Sequence, residues 1–61
     1  MTLDQAKDAA RSEAMRLNRS FMVWRMPAWP VDCWAIIEQR ELPPEAQIAE
    51  TVGVPTTGML F

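Results

Sequence analysis

Residues 21–38, with the sequence FMVWRMPAWPVDCWAIIE, decide the fold because they contain all three tryptophans and two runs of strand-forming residues. The runs at 21–26 and 33–38 are rich in β-branched and aromatic side chains and contain neither glycine nor proline. Between them, Pro27 and Pro30 each lack a backbone donor, so a strand ladder cannot continue through them. The pattern predicts an antiparallel β-hairpin.

The register of this hairpin follows from pairing Met26 with Val31 across the loop at 27–30, which has a common loop length. Counting outward from that pair brings residues of opposite charge together, Arg25 with Asp32 and Arg19 with Glu38. Opposite charges that face each other across a strand pair are favourable, so both pairs support the register.

Alternation of side chains along the strands then divides the hairpin into two faces. One face carries Met22, Trp24, Met26, Val31, Cys33, Ala35 and Ile37, and the other carries Phe21, Val23, Trp34 and Ile36. Both faces are apolar at their centres, so each is expected to be covered. Cys33 is expected to be a core cysteine and not a nucleophile, because the chain has no histidine to activate it.

The residues before the hairpin predict a helix that ends near Leu17. Thr2 and Gln5 form a capping box at its start, and Asn18 tolerates the left-handed conformation in which helices often end. The apolar side of this helix is a narrow stripe formed by Leu3, Ala6, Ala10, Ala14 and Leu17. Because the stripe is mostly alanine, the helix can approach the sheet closely but covers little of it.

The residues after the hairpin predict a short second helix and a possible C-terminal third strand. Pro43 and Pro44 suit the start of a helix, and Gly53 suits its end. The apolar positions of this helix are Ala46, Ile48, Ala49 and Val52. Residues 59–61 are apolar and could return to the hairpin edge as the third strand. The whole chain, 1–61, is therefore expected to be a single α+β domain.

Size and composition limit the classes of function. A chain of 61 residues has a marginal core and usually needs a disulfide, a metal or a partner chain. One cysteine and no histidine exclude an internal disulfide and the usual zinc sites, so a protein partner or a homodimer is expected. No catalytic residues, cofactor or metal are expected, because the sequence lacks an activated nucleophile and a glycine-rich phosphate loop.

Charge and hydropathy narrow the location and the partners. The net charge of −2 disfavours a general nucleic-acid binder, which needs clustered basic residues. The longest apolar runs are too short to span a bilayer, and the first residues are not those of a signal peptide. A cytoplasmic protein is expected, in the host cytoplasm if the protein is viral.

Residues 47–55, with the sequence QIAETVGVP, resemble the first helix and turn of a helix-turn-helix, with an alanine, a glycine four residues later and then a valine. This resemblance implies a DNA-binding or transcriptional regulator. Such families read DNA with the next helix, whereas residues 56–61 contain a glycine and no basic residue. The same segment also fits a short helix with a glycine cap.

In size, acidity and lack of a catalytic motif, the chain resembles the small proteins with which phages block host machinery, anti-CRISPR proteins among them. No residue motif carries this resemblance. It implies a non-enzymatic inhibitor that binds a host protein complex. A nucleic-acid-binding regulator and a small homodimeric structural subunit are the alternatives.

The tryptophan hairpin is the expected interface. Trp29 lies between prolines at the tip of a turn, where an exposed tryptophan suits a binding anchor and a buried one would be core. The two predicted helices offer too little apolar surface to cover both hairpin faces, and the face of Trp34 is expected to stay open. The predicted partner-binding residues are Phe21, Val23, Arg25, Trp29, Asp32, Trp34 and Ile36, with Arg25 and Asp32 on the polar rim.

Overall fold

A helix covers one face of a three-stranded antiparallel sheet in the computed structural model, which describes residues 1–54. The elements are α1 (Leu3–Leu17), β1 (Phe21–Arg25), β2 (Ala35–Glu38) and β3 (Gln47–Val52). The strand order is β2-β1-β3, so β1 is paired on both edges. No helix in this part of the chain is long and apolar enough to cross a membrane. The α+β class is confirmed, but the second half of the chain folds differently from the prediction.

The helix α1 begins and ends where the sequence predicts. The Thr2 hydroxyl accepts a hydrogen bond from Gln5 N (3.2 Å), and Thr2 N donates to Gln5 Oε1 (3.0 Å), which completes the capping box. Asn18 follows the helix in the left-handed conformation, with φ 55°. Both ends of the helix are therefore satisfied by local residues, without help from the sheet.

The core lies between α1 and β1. Ala6, Ala10 and Ala14 are at most 1% exposed, and they form one cluster with Phe21 and Val23. Because alanine is small, the helix approaches the sheet closely and the larger side chains of the sheet fill the space between them. The partly buried residues around this cluster are Leu3, Trp34, Ile36 and Val52.

The helix therefore covers the face that the sequence analysis expects to be open. Phe21 and Val23 are buried, and Trp34 and Ile36 are half-buried against the same cluster. The prediction was wrong because both faces of the hairpin are apolar, so side-chain chemistry does not distinguish them.

The hairpin forms, but its register differs from the predicted one. Met22 pairs with Ile37 instead of Ala35, and Trp24 pairs with Ala35 instead of Cys33. The slip is an even number of residues, from 35 to 37, so the side chains that lie in β1 and β2 stay on their predicted faces. Met26, Val31 and Cys33, predicted on the face of Trp24, lie instead in the loop. The division of β1 and β2 into two faces is thus correct although the pairing is not.

Two tight turns in the loop at 26–34 cause the slip. Trp29 N donates to the Met26 carbonyl in the first turn, and Cys33 N donates to the Pro30 carbonyl in the second, both at 3.0 Å. Pro27 occupies the second position of the first turn, where its fixed φ is favoured. Cys33 is therefore exposed in the loop, and its predicted place in a strand core was wrong.

Of the two predicted charge pairs, only that of Arg19 with Glu38 forms. Arg19 Nη1 lies 3.1 Å from Glu38 Oε1, although the residue directly opposite Glu38 is Phe21. Arg25 bonds to other groups, and Asp32 is exposed in the second turn. The predicted pair of Arg25 with Asp32 was wrong because this turn carries Asp32 away from the ladder.

Residues 47–52 form a strand, so the predicted second helix was wrong. The prolines introduce a turn in which Ala46 N donates to the Pro43 carbonyl at 3.0 Å, and β3 begins directly after it. A strand at this position pairs with the second edge of β1, which satisfies backbone groups of both strands. The helix-turn-helix resemblance fails for the same reason, since Gln47–Val52 is not helical. The predicted strand at 59–61 lies outside the described residues.

The pairing of β3 with β1 contains a bulge. Val23 pairs with Glu50 and Trp24 pairs with Ile48, so Ala49 is the extra residue. Glu50 consequently lies on the α1 side of the sheet, while Ile48 lies on the opposite side beside Trp24. The bulge places an apolar side chain next to the tryptophan at the end of β1.

Met1, two residues before the helix, pairs with Trp34 at the outer edge of the sheet, directly before β2. Trp34 N donates to the Met1 carbonyl at 2.7 Å, and Met1 N donates to the Trp34 carbonyl at 3.4 Å. Two residues that each donate a backbone hydrogen bond to the other's carbonyl form the pattern of an antiparallel strand pair. The start of α1 is therefore tied to the sheet by backbone bonds as well as by side-chain packing.

Val23→Ala is expected to destabilise the fold by about 2 kcal/mol, because it removes two buried methyl groups and leaves a cavity beneath α1. Urea unfolding followed by tryptophan fluorescence measures the loss. The control Val31→Ala removes the same two methyl groups from Val31, which is 78% exposed. It is expected to change the free energy of unfolding by less than about 0.5 kcal/mol. Equal losses in the two variants would contradict the assigned core.

The titration of Glu13 is expected to depend on Arg16. Arg16 Nη2 and Nε donate to the two carboxylate oxygens of Glu13 at 2.6 and 3.1 Å, and these bonds hold the pKa of Glu13 below its ordinary value. The pair therefore stabilises the fold above the ordinary pKa, and its contribution is lost as the pH falls through the lowered pKa. In an NMR titration, Arg16→Gln should return the pKa of Glu13 to its ordinary range, and an unchanged pKa would rule out this cause.

Candidate interaction surface at the loop end of the sheet

Two tryptophans meet where the loop at 26–34 leaves β1. Trp24 lies on the face away from α1, because side chains alternate along the strand and Val23 packs beneath the helix. Trp29 packs on Trp24 from the loop, with ring centroids 4.9 Å apart and ring planes tilted by 54°. Tilted aromatic pairs at this distance contribute about 0.5–1.5 kcal/mol beyond their buried area. The contact holds Trp29 against the sheet.

Ile48 continues this apolar surface on the neighbouring strand. It pairs with Trp24 across the β1–β3 ladder and is 49% exposed. Both tryptophans are half-buried. We refer to Trp24, Trp29 and Ile48 as the tryptophan patch. Large apolar side chains that stay partly exposed at adjacent positions are typical of an interaction surface, and tryptophan is enriched among the residues that dominate binding.

Arg25 holds the loop in place behind the tryptophan patch. Its Nη2 donates to the carbonyl of Trp29 and, at 3.3 Å, to the carbonyl of Pro30. Its Nη1 donates to Gln47 Oε1 at 2.6 Å. The planar fork of guanidinium donors allows one side chain to bind several acceptors at once. Arg25 thus connects β1, the loop and the first residue of β3.

Arg25 forms no ion pair with a carboxylate among residues 1–54. Its Cζ lies 5.7 Å from the centroid of the Trp34 ring, a distance at which cation–π attraction acts. Its Nε and the Trp24 Nε1 are buried without a hydrogen-bond partner in this part of the chain. An unpaired buried donor costs about 1–3 kcal/mol, so these two donors offset part of the stabilisation from the Arg25 hydrogen bonds to the loop, which we call the Arg25 clamp.

The structure places the predicted interface residues in three separate locations. Trp29 belongs to the tryptophan patch, and Arg25 lies behind it. Asp32 is exposed in the second turn of the loop. The remaining four residues lie beneath α1 and are not on an open face: Phe21, Val23, Trp34 and Ile36.

Two residues of the tryptophan patch, Trp24 and Ile48, were missing from the predicted site. Alternation along the hairpin already places Trp24 opposite the face of Val23, so its location could be found from the sequence. The neighbouring position of Ile48 could not, because residues 47–52 fit the pattern of a helix as well as that of a strand. Only the pairing of β3 with β1 brings these side chains together.

The tryptophan patch occupies only one end of its sheet face. Met22 lies on the same face as Trp24 but is 6% exposed, so the centre of the face is covered. The strands β2 and β3 are both antiparallel to β1, so the link at 39–46 must return the chain from one end of the sheet to the other. Leu42 in this link is half-buried. Among the large apolar side chains on this face of β1, β2 and β3, Ile48 is the most exposed, and it lies at the loop end.

Within residues 1–54, no cluster of three or more histidine, cysteine, aspartate or glutamate side chains could hold a metal ion. The most prominent carboxylate on the sheet, Glu50, lies 4.0 Å from Lys7 Nζ and 3.9 Å from Arg11 Nη2. The arrangement at the loop end is suited to contact with another molecule through apolar surface.

Arg25→Met is expected to lower stability by about 2 kcal/mol, because hydrogen bonds from a charged donor to the loop are lost and two backbone carbonyls lose their partner. It should also release Trp29 from Trp24, which a red shift of tryptophan fluorescence in the native state would report. The control Arg19→Met breaks only the exposed pair with Glu38 and should cost less than about 1 kcal/mol. If both variants lose the same stability and neither shifts the fluorescence, Arg25 does not clamp the loop.

The chain matches no family model, no curated protein and no solved structure in the comparisons made.

Proposed function

We propose that this chain is a non-enzymatic protein-binding module that uses the tryptophan patch as its interface. The observation that carries the proposal is the position of Trp24, Trp29 and Ile48, which are adjacent, large, apolar and only partly buried. Interfaces of proteins are centred on such side chains, with tryptophan strongly enriched. The clamp of Arg25 supports the proposal, since a binding loop held in one conformation loses less entropy when it binds.

A protein partner is favoured over a nucleic acid by the charges near the tryptophan patch. Aromatic platforms for nucleobases sit within basic grooves, whereas the nearest cation, Arg25, is engaged with loop carbonyls and with Gln47. The net charge of the chain is −2. The strand at Gln47–Val52 also removes the helical segment on which a helix-turn-helix regulator would depend.

In this proposal the module acts by occupying a surface of a larger protein. A rigid apolar patch on a small acidic chain can block a site on a host complex without any chemistry of its own. This is the mode of action of the small phage or mobile-element inhibitors that the chain resembles, anti-CRISPR proteins among them. The alternative in the same class, a homodimeric subunit, uses the same patch against a second copy.

Trp29→Ala and Ile48→Asp are each expected to weaken partner binding about 30-fold or more, which corresponds to a loss of about 2 kcal/mol at a hot spot. The immobilised chain is incubated with a lysate of the source host, retained proteins are identified, and the affinity of the purified partner is measured by calorimetry. Circular dichroism checks that both variants keep the helix and the sheet.

Met15→Ala is the matched control, because Met15 is an exposed apolar residue, 71% accessible, on the helix side of the molecule. It should retain the partner at the affinity of the unmodified chain. Equal binding by all variants would refute the tryptophan patch as the interface. Recovery of nucleic acid with a steep salt dependence would refute the protein-binding class. Dimerisation of the purified chain, lost in Trp29→Ala, would identify a second copy as the partner.

A further inference from the structure

The outer edge of β3, which runs from the loop end to the opposite end of the sheet, is a second feature that can engage another molecule. Among residues 1–54, β3 pairs with β1 on one side and with no strand on the other. Most residues of β3 are exposed: Gln47, Ile48, Ala49 and Thr51. An edge strand of this kind presents unpaired backbone donors and acceptors that can bind a further strand.

The direction of these backbone groups follows from the ladder between β1 and β2. Gln39 N donates to the Ser20 carbonyl at 2.8 Å, which continues the β1–β2 register by one pair beyond Phe21 and Glu38. In an antiparallel ladder, successive residues direct their backbone groups to opposite sides. Since Ser20 bonds towards β2, Phe21 and every second residue after it bond towards β3.

The same alternation applies to β3. Phe21 pairs with Val52 and Val23 pairs with Glu50, so Val52 and Glu50 direct their N–H and carbonyl groups to β1. Thr51 lies between them and directs its N–H and carbonyl groups outward. The centre of a strand-binding edge is therefore at Thr51, which pairs with Met22 and lies on the same sheet face as Ile48, beyond the bulge.

The β3 edge has few of the features that protect edge strands from pairing. The segment Gln47–Val52 contains no lysine, arginine or proline, and the charge of Glu50 is paired with Lys7 and Arg11. The bulge at Ala49 is its one irregularity. The opposite edge of the sheet is less accessible, because Met1 already pairs with Trp34 beside β2.

We infer that the outer edge of β3 binds an extended segment of the partner protein as an added strand, an inference that rests on the proposed function. The side chains of this segment alternate between two environments. Those on the side of Ile48 extend the tryptophan patch and are apolar or β-branched. Those on the side of Glu50 lie near Lys7 and Arg11 and are polar. Backbone bonds supply affinity, and the apolar side chains supply selectivity.

A second copy of the chain fits this edge less well than a foreign segment does. In a two-fold arrangement centred on Thr51, Glu50 faces Val52, and the bulge at Ala49 of each copy interrupts the pairing directly beyond. Only residues 50–52 pair regularly in that arrangement, because each copy contributes a bulge, whereas a foreign segment brings no second bulge. An arrangement centred on Glu50 places two carboxylates opposite each other, which is unfavourable.

The test is amide hydrogen exchange, followed by NMR on the full chain with a defined probe. The probe is a short synthetic peptide that alternates valine and threonine and has lysine at both ends. Its control has the same side chains, but alternate backbone nitrogens are methylated, so that it cannot form a ladder. With the probe in about tenfold excess over its Kd, exchange at the Thr51 amide should slow about tenfold. The Glu50 and Val52 amides, already bonded to β1, should change little.

The inference is supported if only the unmethylated peptide slows exchange at Thr51. It is overturned if neither peptide or both peptides do so, because binding would then be absent or independent of the backbone. It is also overturned if the Thr51 amide is protected in the free monomer, or becomes protected with chain concentration alone, which would make a second copy the occupant. Chemical-shift changes confined to Trp24 and Trp29 would overturn strand addition while leaving the proposed function intact. If Trp29→Ala abolishes partner binding while the peptide leaves exchange at Thr51 unchanged, the proposed function is supported and strand addition is overturned.

Discussion

The contact between the alanine stripe of α1 and the first residues of β1 is the interaction on which the rest of the structure depends. Val23 is the largest fully buried side chain of the described residues, and it lies beneath Ala6, Ala10 and Ala14. A chain of this size buries only about 60% of its unfolded surface. It cannot form a thick core, so it depends on close approach of a helix with small side chains to a strand with large ones.

Burial decreases along β1, and this gradient links the core to the candidate surface. Phe21, Met22 and Val23 are buried, whereas Trp24 and Arg25 are half-buried. Phe21 and Val23 anchor the strand under the helix, and Met22 is buried on the opposite face of the sheet. The last two hold the loop, Trp24 through the ring of Trp29 and Arg25 through backbone carbonyls. One strand therefore supplies both the stability of the fold and the rigidity of the tryptophan patch.

The segment Gln47–Val52 shows how a short amphipathic sequence can fit two structures. The positions of Ile48, Ala49 and Val52 lie on one side of a helix, and with a bulge at Ala49 they also suit a strand. The choice is made by β1, which has a free edge whose backbone groups need partners. Pairing satisfies those groups and places Val52 against the core, which an isolated helix of about two turns could not match.

Local chemistry in the sequence determined the helix Leu3–Leu17 with both caps, the two hairpin strands and the face on which each side chain of β1 and β2 lies. These features depend on capping residues, alanine spacing and period-two alternation, all of which act within a few residues. The tertiary structure alone decided the side of the sheet that α1 covers, the register of the hairpin, the strand at 47–52 and the meeting of Trp24, Trp29 and Ile48. The register depends on the two turns of the loop at 26–34. The other features depend on groups far apart in the chain, such as the Arg25 guanidinium with Gln47 and the free edge of β1 with residues 47–52, and no local pattern predicts their energies.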